Sequence, residues 1–209
     1  MLKRKIIGVF GIQGMGKTTY IKEITKDLER VIFVDTLEEF NYTTITNPKE
    51  LIEYLKDRIK FKIEYVNIDD NDVDALEKVC VIIKAYIQEM LKKYNIDIDV
   101  TLVVDEVDIY SNSHFIAHHF SEVIRRGRHY NTNLIYATRR PHEAPRLATS
   151  QSNIFVIFKT IEPADIAFFK SFIGDYAYEI PNLQRFEYLF CNLDENTVSR
   201  NKLNLDFLK

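Results

Sequence analysis

The sequence predicts an α/β protein whose mostly parallel central sheet is flanked by helices. Short apolar runs of strand length alternate with helical patterns along the chain, which is the arrangement that produces parallel sheets. A glycine-rich segment also stands between the first apolar run and the first helical pattern. With 209 residues, 46% of them hydrophobic, the chain can bury one sizeable core. We therefore expect a single domain over residues 1–209, in which residues 41–99 could form an insertion or a variable region.

Apolar runs of strand length predict the members of the sheet. In chain order they are Ile6–Phe10, Val31–Asp35, Phe61–Val66, Thr101–Asp105, Leu134–Ala137, Ile154–Phe158 and Tyr188–Cys191. The last of these runs is expected to end the sheet.

Segments with helical periodicity predict the helices that connect the strands. In chain order they are Thr18–Glu29, Pro48–Lys60, Val73–Tyr94 and Pro163–Ile173. Proline favours the start of the last helix, because a missing N–H is harmless in a first turn. The acidic stretch Asp69–Asp72 has few apolar residues and predicts a surface loop.

Composition excludes several classes of protein. A net charge of −3 argues against a generally basic nucleic-acid-binding protein. The two cysteines, Cys80 and Cys191, are far apart and lack CxxC spacing, so neither a disulfide framework nor a zinc site is expected. The apolar runs reach only about six residues, too few for a membrane-spanning segment. An intracellular protein without a membrane segment of its own is therefore expected.

The glycine-rich segment has the residues of a phosphate-binding loop. Its sequence is Gly11-Ile-Gln-Gly14-Met-Gly16-Lys17-Thr18-Thr19, directly after the apolar run. Glycine permits the tight curvature that lets backbone N–H groups surround phosphate oxygens. Lys17 would reach the β- and γ-phosphates, the Thr18 hydroxyl would coordinate the bridging Mg²⁺, and Thr19 would lie beside the α-phosphate. The predicted nucleoside triphosphate site comprises Gly11, Gln13, Gly14, Met15, Gly16, Lys17, Thr18 and Thr19.

A later apolar strand ends in two adjacent carboxylates, which is the form of a Walker B strand. The residues are Leu102-Val103-Val104-Asp105-Glu106. Successive side chains at a strand end point in different directions, so two neighbours can serve different functions. Asp105 would belong to the Mg²⁺ shell, and Glu106 would orient and activate the attacking water. The pair predicts hydrolysis of the bound nucleotide.

The segment 125–146 is strongly basic although the whole chain is slightly acidic. It holds six arginines and one acidic residue, Glu143, an excess of five positive charges. Arg125, Arg126 and Arg128 come at the end of the helix expected after Glu106. The helix dipole favours positive charge there, so capping is one explanation for one or two of the three. For the basic segment as a whole, a solvated face is one explanation, and contact with a polyanion or a role in sensing charge is the other.

Three features together carry a family resemblance. They are the phosphate loop, the Asp105-Glu106 pair and the run from Arg125 to Pro141, in which basic residues, a glycine, a strand and an Arg-Pro pair follow one another. With them the chain resembles the HerA/FtsK superfamily of DNA-pumping ATPases over about residues 5–192. The resemblance implies a P-loop NTPase fold of the ASCE type, similar to RecA, that uses ATP and Mg²⁺. Within the superfamily, the small size is most similar to the genome-packaging ATPases of membrane-containing icosahedral viruses, including turreted archaeal viruses.

The resemblance also implies partners. Such ATPases act as rings, usually hexamers, with ATP between neighbouring copies and an arginine finger that reaches across; Arg125, Arg126 and Arg128 are the candidates here. Double-stranded DNA would be contacted through its phosphates, and a capsid or viral membrane protein is a further candidate partner. The expected location is the host cytoplasm or the virion.

One position departs from the family pattern. The superfamily usually has glutamine before Arg-Pro, where it senses the γ-phosphate, whereas this chain has Arg139. The sensor is therefore either Thr138 or Arg139.

Two other functions share some of these features. A nucleoside or small-molecule kinase would also use the phosphate loop, with the three arginines as a lid, but it has no use for Glu106. An ATPase of the phage-morphogenesis or secretion type would move protein rather than DNA. The sequence favours the DNA translocase.

Overall fold

The computed structural model describes residues 4–56, 58–68 and 71–205. Within these ranges the strands form one nine-stranded sheet in the order β3-β4-β2-β5-β6-β1-β7-β8-β9. Neighbouring strands from β3 to β7 are parallel, whereas β8 and β9 are each antiparallel to the preceding strand. The strands are β1 Ile6–Phe10, β2 Arg30–Val34, β3 Thr43–Ile45, β4 Phe61–Tyr65, β5 Val100–Val104, β6 Thr132–Thr138, β7 Ile154–Phe158, β8 Glu187–Asn192 and β9 Thr197–Lys202. The predicted mostly parallel sheet is confirmed.

Helices cover both faces of the sheet. They are α1 Lys17–Thr25, α2 Pro48–Leu55, α3 Asp72–Tyr94, α4 Val107–Tyr110, α5 His118–Arg126, α6 Arg146–Gln151 and α7 Pro163–Ile173. Short 3₁₀ helices cover Gly127–Tyr130, Pro141–Glu143 and Gly174–Asn182. None of the described helices is both long and apolar enough to cross a membrane.

The core lies on both faces of the sheet, which is why the central strands are continuously apolar rather than alternating. Leu102 and Val103 are neighbours on β5, and both are fully buried. Leu102 belongs to the larger cluster, which packs against α2, α3, α5 and α7, whereas Val103 belongs to the cluster on the α1 face. Val9 of β1 and Ile21 of α1 are both fully buried in the cluster on the α1 face, so packing holds the two elements that flank the loop at the carboxyl edge of the sheet.

Polar side chains fix several helix ends. The Asn47 side chain accepts from the Glu50 N–H at 2.9 Å, and Pro48 begins α2. At the C-terminus of α5, the Arg4 guanidinium donates to the carbonyl of Ile124 at 2.6 Å and to that of Val123. The same guanidinium donates to the carbonyl of Thr132, at the start of β6, at 3.0 Å. Arg4 therefore adds hydrogen bonds to carbonyls at the C-terminus of α5, where the Val123 carbonyl also accepts from the Gly127 N–H.

The predicted strands are all present, but the sheet does not end at Tyr188–Cys191. That prediction was wrong because β9 follows, and its sequence Thr-Val-Ser-Arg-Asn-Lys is polar and mostly exposed, so it carries no apolar signal. Strand β3 was missed since it has three residues.

Some helix boundaries also differ from the predicted ones. Helix α1 ends at Thr25, whose hydroxyl donates back to the Ile21 carbonyl at 2.7 Å, and α2 ends at Leu55 rather than Lys60. In the predicted acidic loop, Asp69 and Asp70 lie outside the described residues, whereas Asn71 caps α3 by accepting from the Asp74 N–H at 3.1 Å.

Candidate active site

The loop between β1 and α1 has the backbone conformation that its glycines predict. Gly11, Gly14 and Gly16 have φ angles of +141°, +78° and +119°, which side-chain-bearing residues rarely adopt. At Gly16 there is also no room for a side chain, because an added Cβ would lie 2.8 Å from Cδ1 of Phe186. The loop therefore encloses a space lined by backbone groups at the start of α1.

Lys17 is the first residue of α1 and points back into this loop. Its Nζ donates to the Gly11 carbonyl at 2.8 Å and to the Ile12 carbonyl at 3.4 Å, and the residue is 8% exposed. Burial lowers the pKa of Lys17 from its ordinary value, while the Asp105 carboxylate opposes that shift. The ammonium group is thus positioned inside the loop, where a phosphate would lie.

Thr18 contacts a carboxylate that the sequence did not assign to the site. Its hydroxyl donates to Oε2 of Glu39 at 2.9 Å. Glu39 lies in the loop after β2, and the buried Asp35 holds that loop by accepting from the N–H groups of Leu37 at 3.0 Å and Glu39 at 2.8 Å. The only sequence signal for Glu39 was its place just beyond the end of a predicted strand.

Asp105 directly follows β5, is buried, and lines the same cavity as Lys17 and Thr18. Burial raises the pKa of Asp105 to about 7, and the neighbouring Asp35 carboxylate adds to the shift. The Glu106 N–H, which donates to Oδ1 of Asp105 at 2.9 Å, opposes it. The positive charge of Lys17 opposes the shift as well, but burial and the Asp35 carboxylate outweigh it. The oxygen donors of Thr18 and Asp105 therefore fit Mg²⁺, a cation that prefers such ligands.

Glu106 has a backbone conformation that is uncommon for a residue with a side chain. Its φ is +47° and its ψ is +51°, at the residue preceding α4. Its carboxylate forms an ion pair with Arg139, and Arg139 also donates to Oε1 of Gln13 at 3.3 Å. Arg139 thus connects Glu106 to the loop between β1 and α1.

Thr138, the other sensor candidate, does not line the cavity. Its side chain is fully buried, and its hydroxyl oxygen accepts from the Arg140 N–H at 3.0 Å. Of the two sensor candidates, only Arg139 lines the cavity within the described residues.

The cavity has a volume of about 400 Å³ and opens at the carboxyl edge of the sheet. Its lining comprises Gln13, Gly14, Gly16, Lys17, Thr18, Thr19, Asp35, Leu37, Glu39, Asp105, Glu106, Arg139, Arg185 and Phe186. Gly11 and Met15 belong to the loop behind this lining. Sequence reasoning missed Arg185 and Phe186, because they come from the distant segment before β8 and have no motif.

The three candidate finger arginines lie elsewhere. Arg125 and Arg126 end α5 and are exposed, and Arg128 follows in the 3₁₀ helix. This segment precedes β6, so it lies at the opposite edge of the sheet from Arg139, which follows β6. Arg128 lines a separate cleft there with Arg4. Within one chain, none of the three lines the phosphate-loop cavity.

No protein-family model matches the sequence, and no curated protein matches it either. The genome packaging NTPase B204 of Sulfolobus turreted icosahedral virus 2, solved with AMPPCP, aligns with a TM-score of 0.78 and 19% identity over 98% of this chain and 100% of its own. B204, the DNA-packaging ATPase of Sulfolobus turreted icosahedral virus, aligns with a TM-score of 0.76 and 17% identity over 98% and 100%.

A third solved structure comes from bacteria. VirB4 of Thermoanaerobacter pseudethanolicus aligns with a TM-score of 0.66 and 13% identity over 95% of this chain and 89% of its own. At these identities the likeness concerns the fold. It confirms the α/β fold of the P-loop ATPases that the family resemblance implied.

Proposed function

We propose that this protein is an ATP-hydrolysing motor that moves double-stranded DNA into a viral capsid. The observation that carries the proposal is that Lys17, Thr18, Asp105 and Glu106 line one cavity at the carboxyl edge of the sheet. These are the groups that triphosphate binding and metal-assisted hydrolysis need. The similarity in fold to two structures described as viral genome-packaging enzymes supports DNA as the cargo.

The residues divide the chemistry between them. Lys17 and the loop N–H groups hold the β- and γ-phosphates, and Thr18 and Asp105 hold Mg²⁺. The metal, when bound, neutralises charge that develops on the phosphate oxygens. Glu106 orients the attacking water and accepts its proton.

Arg139 acts as the γ-phosphate sensor in this proposal. In the described structure its guanidinium engages Glu106 and Gln13, which are the two sides of the space that the γ-phosphate would enter. An arriving phosphate offers a stronger, doubly charged partner. Arg139 then turns to the phosphate, and Glu106 becomes free to bind water. Thr138 has a structural role in this proposal, since its hydroxyl oxygen accepts a hydrogen bond from the Arg140 N–H.

Arg125, Arg126 and Arg128 act on a neighbouring copy in this proposal. They are exposed and lie at the opposite edge of the sheet from the cavity of their own chain. A ring of copies, with six as the expected number, would bring one of these arginines to the nucleotide of the next copy. DNA phosphates and a capsid or viral membrane protein are the further partners, in the host cytoplasm or the virion.

VirB4 supports a second candidate, an ATPase of the secretion type that moves protein. It shares the fold with a lower TM-score, 0.66 against 0.78. This candidate predicts hydrolysis that DNA does not stimulate.

Steady-state ATP hydrolysis, measured with and without double-stranded DNA, tests the proposal. We expect DNA to stimulate turnover, and Glu106→Gln to abolish most of it while ATP still binds. Hydrolysis that is indifferent to DNA would favour the secretion-type candidate. Phosphorylation of a small acceptor in place of phosphate release would identify a kinase.

A further inference from the structure

Arg185 and Phe186 line the phosphate-loop cavity from the side opposite the hydrolytic groups. Strand β1, which leads into the loop, lies between β6 and β7 in the sheet. Asp105, Glu106 and Arg139 follow β5 and β6 on one side of β1, whereas Arg185 and Phe186 precede β8 on the other. A nucleotide whose γ-phosphate lies between Lys17 and Glu106 therefore extends its remaining parts towards β7 and β8.

The backbone holds Phe186 against the loop in an unusual conformation. Its φ is +67°, which is an outlier for a bulky residue. Its N–H donates to the Met15 carbonyl at 3.0 Å, and its carbonyl accepts from the Leu203 N–H at 2.9 Å. These two bonds, one to the phosphate loop and one to the chain beyond β9, determine where the ring lies. Strained backbone of this kind is common at ligand sites.

The ring of Phe186 packs against Gly16, and the side chain of Arg185 lies over the ring. The guanidinium carbon of Arg185 lies 4.7 Å from the Phe186 ring centroid. Arg185 is exposed, and it forms no ion pair with any carboxylate in the part of the chain that the structure describes. A planar guanidinium stacked on one aromatic ring can stack a second planar group on its open face.

We propose that Arg185 and Phe186 form the platform on which the nucleobase of the bound nucleotide lies. This inference rests on the proposed nucleotide-dependent function and adds the base subsite to it. The phosphates are held by the loop, Lys17 and the metal ligands, whereas the platform stabilises only the base and the ribose next to it. Loss of the platform should therefore weaken the binding of nucleotides and leave the binding of ligands without a nucleoside nearly unchanged.

Titration calorimetry with two ligands in the presence of Mg²⁺ tests this selectivity. The ligands are ADP and inorganic pyrophosphate, which share a diphosphate and differ in the nucleoside. We expect Arg185→Ala to weaken the binding of ADP about tenfold, equivalent to about 1.4 kcal/mol, and the binding of pyrophosphate by about twofold or less. The matched control is Arg58→Ala, which removes an exposed arginine stacked on Tyr54 at 4.2 Å outside the cavity, and which should change neither affinity.

A second variant tests whether a loss of affinity in Arg185→Ala comes from the lost platform rather than from a change in folding. Phe186→Leu keeps apolar bulk beside Gly16 but removes the aromatic face. Like Arg185→Ala, it should weaken the binding of ADP and leave the binding of pyrophosphate nearly unchanged. Equal weakening of both ligands by Arg185→Ala would overturn the proposal, because Arg185 would then hold phosphate. Unchanged ADP affinity in both variants would overturn it as well. If the unaltered protein bound neither ligand, the nucleotide site itself, and with it the proposed function, would be wrong.

Discussion

Arg139 forms an ion pair with Glu106, and the same guanidinium donates to Oε1 of Gln13 at 3.3 Å. The residue that follows strand β6 thus restrains the proposed water-activating carboxylate and touches the phosphate loop. In the proposed mechanism this ion pair opens before hydrolysis, because the Glu106 carboxylate must turn to the attacking water. In that mechanism, Glu106 becomes available to water when the γ-phosphate of a bound nucleotide replaces it as the partner of Arg139.

Replacing Arg139 should therefore affect turnover more than binding. We expect Arg139→Ala to lower kcat for ATP hydrolysis by about 10- to 100-fold, because a charged donor to the transferring phosphate is lost. The neighbour Arg140 supplies the control, since it pairs with Glu143 at 3.0 Å and does not line the cavity. Equal kcat values for Arg139→Ala and Arg140→Ala would show that Arg139 senses nothing.

Glu39 should determine how well the site holds Mg²⁺. The Thr18 hydroxyl donates a hydrogen bond to Glu39, which leaves the oxygen lone pairs of the hydroxyl free to face the metal. We expect Glu39→Gln to raise the Mg²⁺ concentration needed for half-maximal nucleotide binding by about three- to tenfold, by analogy with other outer-shell ligand partners. The exposed neighbour Glu38 is the matched control. If Glu38→Gln and Glu39→Gln gave the same Mg²⁺ dependence, the contact with Thr18 would have no role in metal binding.

Mixing two inactive variants should reveal the arginine finger. Lys17→Ala removes hydrolysis at its own site but keeps the arginines, and a finger variant keeps its own site. Hydrolysis in a mixture of Lys17→Ala with Arg125→Ala, Arg126→Ala or Arg128→Ala should exceed the sum of the separate preparations for at least one pairing. No recovery in any pairing argues against action across an interface.

Arg4 should contribute measurably to stability although it lies near the N-terminus. It donates to three carbonyls around the end of α5 and the start of β6. A Cβ added at Gly127 would lie 2.7 Å from the guanidinium carbon of Arg4, so the chain passes close to this side chain. We expect Arg4→Ala to lower the free energy of unfolding by about 1–3 kcal/mol, measured by urea denaturation, and Lys5→Ala to leave it within about 0.5 kcal/mol. The reverse order would mean that the carbonyls find other partners.

The sequence predicts those parts of the fold and of the candidate site that show as a motif or an apolar run of consecutive residues. The phosphate loop and the Asp105-Glu106 strand end are of this kind, and so are the central apolar strands. Strand β9 escapes prediction because it is polar and pairs at the edge of the sheet. Arg185 and Phe186 escape it because only the order of the strands brings them beside the phosphate loop.

The choice between Thr138 and Arg139 shows the same limit. Both residues are polar and adjacent, so sequence spacing cannot separate them. In the structure the Thr138 hydroxyl oxygen accepts from the Arg140 N–H, whereas Arg139 lines the cavity, and this difference supports Arg139 as the proposed sensor. Side-chain direction at a strand end depends on the neighbouring strands, which the local sequence does not specify.

Movement along DNA is the central claim, and displacement of a third strand measures it directly. A labelled oligonucleotide is bound as a triplex on linear double-stranded DNA, and its release is followed after protein and ATP are added. We expect release with ATP, none with a non-hydrolysable analogue, and none with Glu106→Gln. Hydrolysis of ATP by the unaltered protein without release of the third strand, on DNA of any length, would contradict the assignment as a DNA motor.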